Sequence, residues 1–265
     1  MTSSQTVRDP RAEALSLAAR PELTGGRRVG VLLSHGFTGS PASIRPWATA
    51  LAERGYGVAV PRLPGHGTSW QDMATTGWDD WHAELDRALD ALVAEHDVVV
   101  VGGLSMGGGL ALRLAAERPG DVAGLLLVNP AVTSRDRRLV AVPLLKRVLA
   151  TQPGIVGDIR LEGQDEVGYD TVPLAALHTM LRGWRDLRRE LPRVTAPVLL
   201  FRSVVDHVVD PSSAALITAS VSSDEVTEQL LTRSWHVATL DHDAPLIASA
   251  SADFVARVAR LADVV

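Results

Sequence analysis

Apolar residues in this chain fall into short unbroken runs separated by longer stretches with helical spacing. Val29–Leu33, Gly57–Val60, Val98–Val101 and Val122–Val128 are such runs. Because they are continuous rather than alternating, they predict strands buried on both faces. Between them, Arg45–Arg54 (closed by Gly55), Trp78–Glu95 and Gly107–Glu117 (stopped by Pro119) have the periodicity and punctuation of helices. Thr76 and Asp79 stand at capping-box spacing ahead of Trp78–Glu95. Strand–helix order repeated in this way predicts an α/β fold with a mostly parallel sheet.

The rhythm stops at Asn129-Pro130. From there to about Arg193 no strand pattern is visible: Leu139–Ala150 and Leu174–Glu190 read as helices and Gln152–Gly168 as loop. Strands and helices resume with Val198–Phe201, Ser212–Ser220, Thr227–Leu231 and Pro245–Ala262. The expected organisation is an N-terminal tail over 1–27, one α/β core over 28–129 and 193–265, and a helical insertion over 130–192. There is no internal repeat and no low-complexity tract.

Composition narrows the function classes. The chain has 265 residues, 46% of them hydrophobic and 22% charged, ordinary for a globular protein with a large core. A net charge of -5 argues against nucleic-acid binding. With no cysteine, disulfides, thiolate metal sites and cysteine nucleophiles are excluded together. Arg8, Asp9, Arg11, Glu13, Arg20 and Glu22 break up residues 1–26, so no apolar targeting segment forms, and no apolar window reaches the ~18 residues of a membrane span. A cytoplasmic monomer is the default expectation.

The sharpest chemical signal is Gly103-Leu104-Ser105-Met106-Gly107, which directly follows the strand at 98–101 and opens a helix. That is the context of a G-x-S-x-G nucleophile elbow, in which glycines permit a strained turn and the serine is pushed out at the strand end. It is not a dinucleotide fingerprint, since Leu104 occupies the second glycine position, and it lacks the lysine of a P-loop.

A serine nucleophile needs a base and a carboxylate to orient that base. In the chain order that goes with this elbow, both follow the serine. Asp206 lies just beyond the strand at 198–201, whereas Asp210, ahead of Pro211 and Ser212, reads better as a helix-start residue. His236 follows the strand at 227–231 through a short loop, with His242 the alternative base. His35, His66, His82 and His96 precede the serine, His178 lies in the insertion and His207 adjoins the acid. Two backbone N–H groups must meet the developing oxyanion. Met106, after the nucleophile, and Phe37, in the His35-Gly36-Phe37 turn after the first predicted strand, are the expected donors.

Taken in order, His35-Gly-Phe-Thr-Gly-Ser-Pro, Pro61-Arg-Leu-Pro-Gly-His-Gly-Thr, Gly103-Leu-Ser-Met-Gly-Gly, Asp206-His-Val-Val and His236-Val-Ala-Thr-Leu-Asp resemble the bacterial monoacylglycerol lipases and the related small bacterial carboxylesterases of the α/β-hydrolase fold. The resemblance covers about residues 29–243. It implies Ser105 as nucleophile, Asp206 as acid, His236 as base, oxyanion donors at Phe37 and Met106, and a small helical cap at 130–192.

The cap sequence is rich in Leu139, Val140, Val142, Leu144, Leu145, Val148 and Leu149. These residues suit packing on the core, an acyl channel, or a rim in transient contact with a membrane surface. His35, Asp170, Leu145 and Val208 are the expected substrate contacts, with Asp170 accepting from glycerol hydroxyls. The expected reaction is hydrolysis of carboxylic esters, monoacylglycerols of short to medium acyl chain first, through an acyl-enzyme, with neither metal nor organic cofactor. A general short-chain carboxylesterase, an acyltransferase or a thioesterase would use the same triad. An inactive hydrolase-fold binding protein would need none of it.

Overall fold

A computed structural model describes residues 9–261. Its framework is a seven-stranded sheet made of β1 (Leu15–Leu17), β2 (Val29–Ser34), β3 (Gly57–Val60), β4 (Val98–Leu104), β5 (Gly124–Val128), β8 (Val198–Ser203) and β9 (Val226–Leu231). The order across the sheet is β1-β3-β2-β4-β5-β8-β9. All neighbours pair parallel except β1 with β3. Every residue of β2, β4 and β5 is buried, as their unbroken valine and leucine runs require.

Helices cover both faces. On one lie α1 (Arg45–Glu53) and α8 (Ala244–Leu261), closing a core of Val31, Leu33, Trp47, Leu51, Phe201 and Phe254. On the other, α3 (Trp78–Glu95) and α4 (Met106–Glu117) close a core around Leu32, Trp81, Leu85, Val101 and Leu110. The short α2 (Trp70–Met73) precedes α3, and α7 (Ser212–Ser220) joins β8 to β9.

The stretch expected as a tail instead adds a strand to the sheet at Leu15–Leu17, while residues 1–8 lie outside the described residues. Leu15, Ser16 and Leu17 pair antiparallel with Val60, Ala59 and Val58. Left uncovered, β3 would present an open edge of unpaired backbone groups, and three residues suffice to occupy it. Arg45 Nη2 holds the approach by donating to the Glu13 carbonyl at 2.8 Å. A strand this short leaves no periodicity to read. The expected Thr76–Asp79 capping box is also shifted by one residue: Asp80 accepts from the Gly77 N–H at 2.9 Å, while the Thr76 hydroxyl bonds to the Pro64 and Met73 carbonyls.

Residues 130–192 divide into unlike halves. The helix expected over Leu139–Ala150 is a 3-10 turn, Arg137–Ala141, followed by one short helix, α5 (Val142–Leu145). Pro143 brings no N–H donor, and Val140, Leu144, Val148 and Leu149 remain 51–82% exposed, so little burial extends the helix. Two three-residue strands that the sequence pattern does not announce, β6 (Thr151–Pro153) and β7 (Thr171–Pro173), pair antiparallel and clasp the ends of the 154–170 loop. The expected helix at Leu174–Glu190 forms as α6 with those bounds. It buries Leu174, Leu177, Met180, Trp184 and Leu187 at helical spacing. Gly183 lets it approach closely, since a Cβ there would stand 2.3 Å from the Trp78 ring.

Candidate active site

β4 runs three residues past its predicted end, through Gly102-Gly103-Leu104, and delivers Ser105 to its C-terminal edge as the N-cap of α4. Ser105 has φ 56° and ψ -119°, a conformation that costs a non-glycine residue about 1–3 kcal/mol. The surroundings enforce it. A Cβ on Gly103 would meet the Gly107 backbone at 2.4 Å, and one on Gly107 would meet the Ser34 carbonyl oxygen at 2.2 Å. The turn is also held by its own bonds, Ser105 N–H to Val128 O at 2.9 Å and Ala131 N–H to Ser105 O at 3.0 Å. Met106 is the first residue of α4, where helix geometry gives the N–H no partner of its own.

Phe37 lies on the neighbouring turn after β2, and Gly36 brings that turn against the serine: a Cβ there would touch Ser105 Cβ at 3.4 Å. The Phe37 ring meets Trp81 edge-on at 5.8 Å. His35, expected to contact substrate, is instead a brace. It is wholly buried, its Nδ1 lies 3.0 Å from the Gly36 carbonyl, and its Nε2 accepts from the Leu63 N–H at 3.2 Å. Burial lowers its pKa to about 4, so the ring is neutral at pH 7. With both nitrogens committed to backbone, none is left for a ligand. His66 and Trp81 continue behind it as a row of edge-on ring contacts.

Asp206 and His236 meet across the C-terminal edge of β8 and β9. Asp206 Oδ2 lies 2.8 Å from His236 Nδ1, and both side chains are buried. The other carboxylate oxygen of Asp206 accepts from the N–H groups of Val208 and Val209, each at 2.8 Å. Burial by itself would depress the His236 imidazolium. The bonded Asp206, with Glu166 and Asp158 further off, outweighs that and raises the pKa above its ordinary value.

The alternatives sit elsewhere. Asp210 accepts from the N–H groups of Ser212 and Arg135, fastening the start of α7. His242 follows Asp241, whose carboxylate takes its N–H at 2.7 Å.

Among the other expected contacts, Leu145 is half-buried against the core, and Val208 stands exposed beside Asp206. Asp170 is exposed, and its carboxylate accepts from the adjacent Thr171 hydroxyl at 2.9 Å. Four residues earlier, Glu166 turns inward, accepting from the Gly157 N–H at 2.5 Å, with Oε2 beside Gly39 of the Phe37 turn. Burial raises its pKa.

Sequence reasoning also missed Asn129, Asp158 and Asp241. Asn129 Nδ2 donates to the His236 carbonyl at 2.7 Å, and its Oδ1 accepts from the Ser203 N–H at 2.8 Å. The one signal available for it was its position at the end of β5, level with Ser105. Asp241 closes the His236-Val-Ala-Thr-Leu-Asp motif, which gives it no role, and Asp158 stands in loop sequence where nothing marks it. Among the described residues, no cluster of three or more His, Asp or Glu side chains is arranged to hold a metal ion, and no helix is long and apolar enough to cross a membrane.

The family described as serine aminopeptidase, S33, matches residues 26–169, more than half of the chain. A thermostable monoacylglycerol lipase of Bacillus sp. (strain H-257) is 39% identical over 244 residues, covering 90% of this chain and 95% of that protein. A carboxylesterase of Bacillus subtilis (strain 168) is 25% identical over 82% of this chain and 88% of its own length. A solved structure from work on LipS and LipT, two metagenome-derived lipolytic enzymes, superposes with a TM-score of 0.88 at 39% identity, over 94% of this chain and 98% of that one. The monoacylglycerol lipase of Paleococcus ferrophilus shares the fold at 17% identity, with a TM-score of 0.78. The likeness spans core and insertion alike, and on it the chain belongs to the bacterial monoacylglycerol lipases and carboxylesterases of the α/β-hydrolase fold, serine hydrolases of carboxylic esters.

Proposed function

We propose that this enzyme hydrolyses monoacylglycerols of short to medium acyl chain through an acyl-enzyme on Ser105. The observation that carries the assignment is the 2.8 Å Asp206–His236 contact at the same sheet edge as a serine held at φ 56°. Ser105 Oγ attacks the ester carbonyl and passes its proton to His236 Nε2. Asp206, on Nδ1, holds the tautomer and stabilises the imidazolium. The N–H groups of Phe37 and Met106 take the oxyanion, each worth about 3–4 kcal/mol in the transition state. His236 then protonates the departing glycerol oxygen, and water reverses the sequence on the acyl-enzyme.

Residues 130–192 form the cap over this site, and Glu166 is its glycerol-facing acceptor. It lies within electrostatic reach of His236 and beside the Phe37 turn. At 137–148, exposed Val140, Leu144 and Val148 are interleaved with Arg137, Arg138, Lys146 and Arg147 on a chain of net charge -5. Apolar side chains ringed by cations suit transient contact with an anionic lipid surface, where the substrate resides.

The test is kcat/KM on p-nitrophenyl esters from C2 to C14 beside mono-, di- and triacylglycerols, with fluorophosphonate labelling of wild type and Ser105→Ala. Medium-chain monoacylglycerol turnover, little turnover of triacylglycerols and labelling lost in Ser105→Ala are expected. Turnover of short esters alone would reduce the enzyme to a general carboxylesterase, and undiminished labelling of Ser105→Ala would remove the nucleophile.

A further inference from the structure

The base is gripped by its backbone as well as by its ring. The His236 N–H donates to Asp158 Oδ2 at 3.1 Å, and its carbonyl accepts from Asn129 at 2.7 Å. Asp158 comes from the loop clasped by β6 and β7, 78 residues earlier in the chain. It is buried, and the same Oδ2 accepts from the His207 N–H at 3.2 Å, while Oδ1 lies 2.7 Å from His207 Nδ1. The Asp158 carbonyl takes the N–H of Val237 at 3.1 Å. One residue of the insertion therefore holds the residue after the acid and the two residues 236 and 237 together.

The base loop returns the grip. Buried Asp241 accepts from the N–H groups of Arg160 at 2.7 Å, Leu161 at 3.0 Å and Trp235 at 3.0 Å. Two carboxylates, one from each side, stitch residues 158–161 to residues 235–241. The 154–170 loop is thus part of the frame that sets the acid–base distance, besides lying over the site.

We propose that Asp158 is a positioning residue of the hydrolytic reaction, its carboxylate bridging the backbone beside Asp206 to the backbone of His236 and so fixing the separation of acid and base. The proposal rests on the assignment of Ser105, Asp206 and His236 above. A displacement of about 1 Å in such a pair costs on the order of 100-fold in rate. The charge has a second, separable effect. His236 is faced by three carboxylates, Asp206 from the acid loop and Glu166 and Asp158 from the insertion, and each favours the imidazolium. Removing the charge of Asp158 makes His236 easier to deprotonate, which moves the acid limb of the rate profile to lower pH.

The experiment uses the full chain with p-nitrophenyl butyrate, a substrate without a glycerol group. Asp158→Asn is expected to lower kcat roughly 10- to 100-fold, to leave KM within about twofold, and to shift the acid limb of kcat/KM to lower pH. Asp158→Glu keeps the charge but displaces the bridge, so kcat stays low while the acid limb returns to its wild-type position. Titration of active sites with a fluorophosphonate corrects each kcat for folded enzyme. Wild-type kcat and an unshifted limb in Asp158→Asn would overturn the proposal, as would a loss wholly explained by fewer titratable sites. If Asp158→Asn does not fold, His207→Ala decides: kcat several-fold lower at constant KM upholds the bridge, and wild-type kcat refutes it. Failure of the probe to label wild-type enzyme would instead sink the triad itself, and is distinguishable on that ground.

Discussion

Ser105 and His236 are placed by opposite physical means. Ser105 is held by the lack of side chains around it. Gly36, Gly103 and Gly107 let three backbone segments close on the turn, and the contacts a Cβ would make at the last two are with backbone atoms that have little room to give. His236 is held by an excess of side chains, with Asp206 on its ring, Asp158 on its N–H and Asn129 on its carbonyl. A steric lock either closes or fails. A hydrogen-bonded frame can be dismantled one bond at a time, each buried group left without a partner costing about 1–3 kcal/mol. The two sides also treat histidine differently. His35, behind the Phe37 turn, is buried without a carboxylate and driven neutral, whereas His236 is buried among carboxylates and its pKa rises.

The largest break is chemical. Ser105→Ala is expected to lower kcat by roughly 10⁵-fold or more with the melting temperature preserved. Ser105→Gly loses as much activity but unfolds at higher urea, by about 1–2 kcal/mol, because φ 56° no longer strains a Cβ. Asp206→Asn, which keeps the shape but imposes the wrong tautomer on His236, is expected to reduce kcat by roughly 10⁴-fold, read against an unchanged melting temperature.

Gly107→Ala tests the steric lock. It should cost about 3 kcal/mol or more in urea unfolding, since the new methyl meets the Ser34 carbonyl oxygen. Asp241→Asn, on the hydrogen-bonded side, should cost less, about 1–3 kcal/mol.

Acidity sharpens the contrast between the histidines. The pKa of His35 falls from 6.5 in the unfolded chain to about 4 in the folded protein. Its neutral form thus supports the fold above pH 6.5, and up to about 3 kcal/mol is lost as pH falls through 6.5 towards 4. Urea midpoints measured down that range should fall, and less steeply in His35→Asn. His236 has the opposite sign: its contribution is complete below pH 6.5 and is lost as pH rises through its elevated folded pKa.

The smallest effect belongs to the exposed apolar residues at 140–148. Leu144→Glu should leave turnover of a soluble ester within about twofold and lower turnover of monoacylglycerol in anionic vesicles several-fold. Equal rates on both would remove the membrane contact.

How legible each region was follows from the same division. Strands β2, β4 and β5 declare themselves because a strand buried on both faces must be apolar throughout. The serine turn declares itself because only glycine fits its close approaches, and a run of glycines is visible in any sequence. Helix α6 is legible because its buried face repeats every three to four residues. The 139–150 segment has the same kind of residues but buries only Val142, with Leu139 and Leu145 half-buried beside it, so apolar content there misleads. His35 departs from expectation for a related reason: a residue type names the bonds it can make, and neighbours far along the chain, here the Leu63 N–H, decide which are made. Glu166 takes the inward place because the β6–β7 clasp turns it there and leaves Asp170 outside.

The sequence by itself determined the parallel α/β core, the break in strand order after Asn129 and the strand-to-helix turn at Ser105, because each depends on local periodicity or on glycine at a fixed spacing. Only the tertiary structure decided that residues 15–17 complete a sheet edge, that His35 is spent on backbone, and that Asp158 and Asp241 lace the insertion to the base loop. Those outcomes are hydrogen bonds between segments up to 81 residues apart. A carboxylate in loop sequence carries no mark of the N–H groups it will meet until the chain has folded around it.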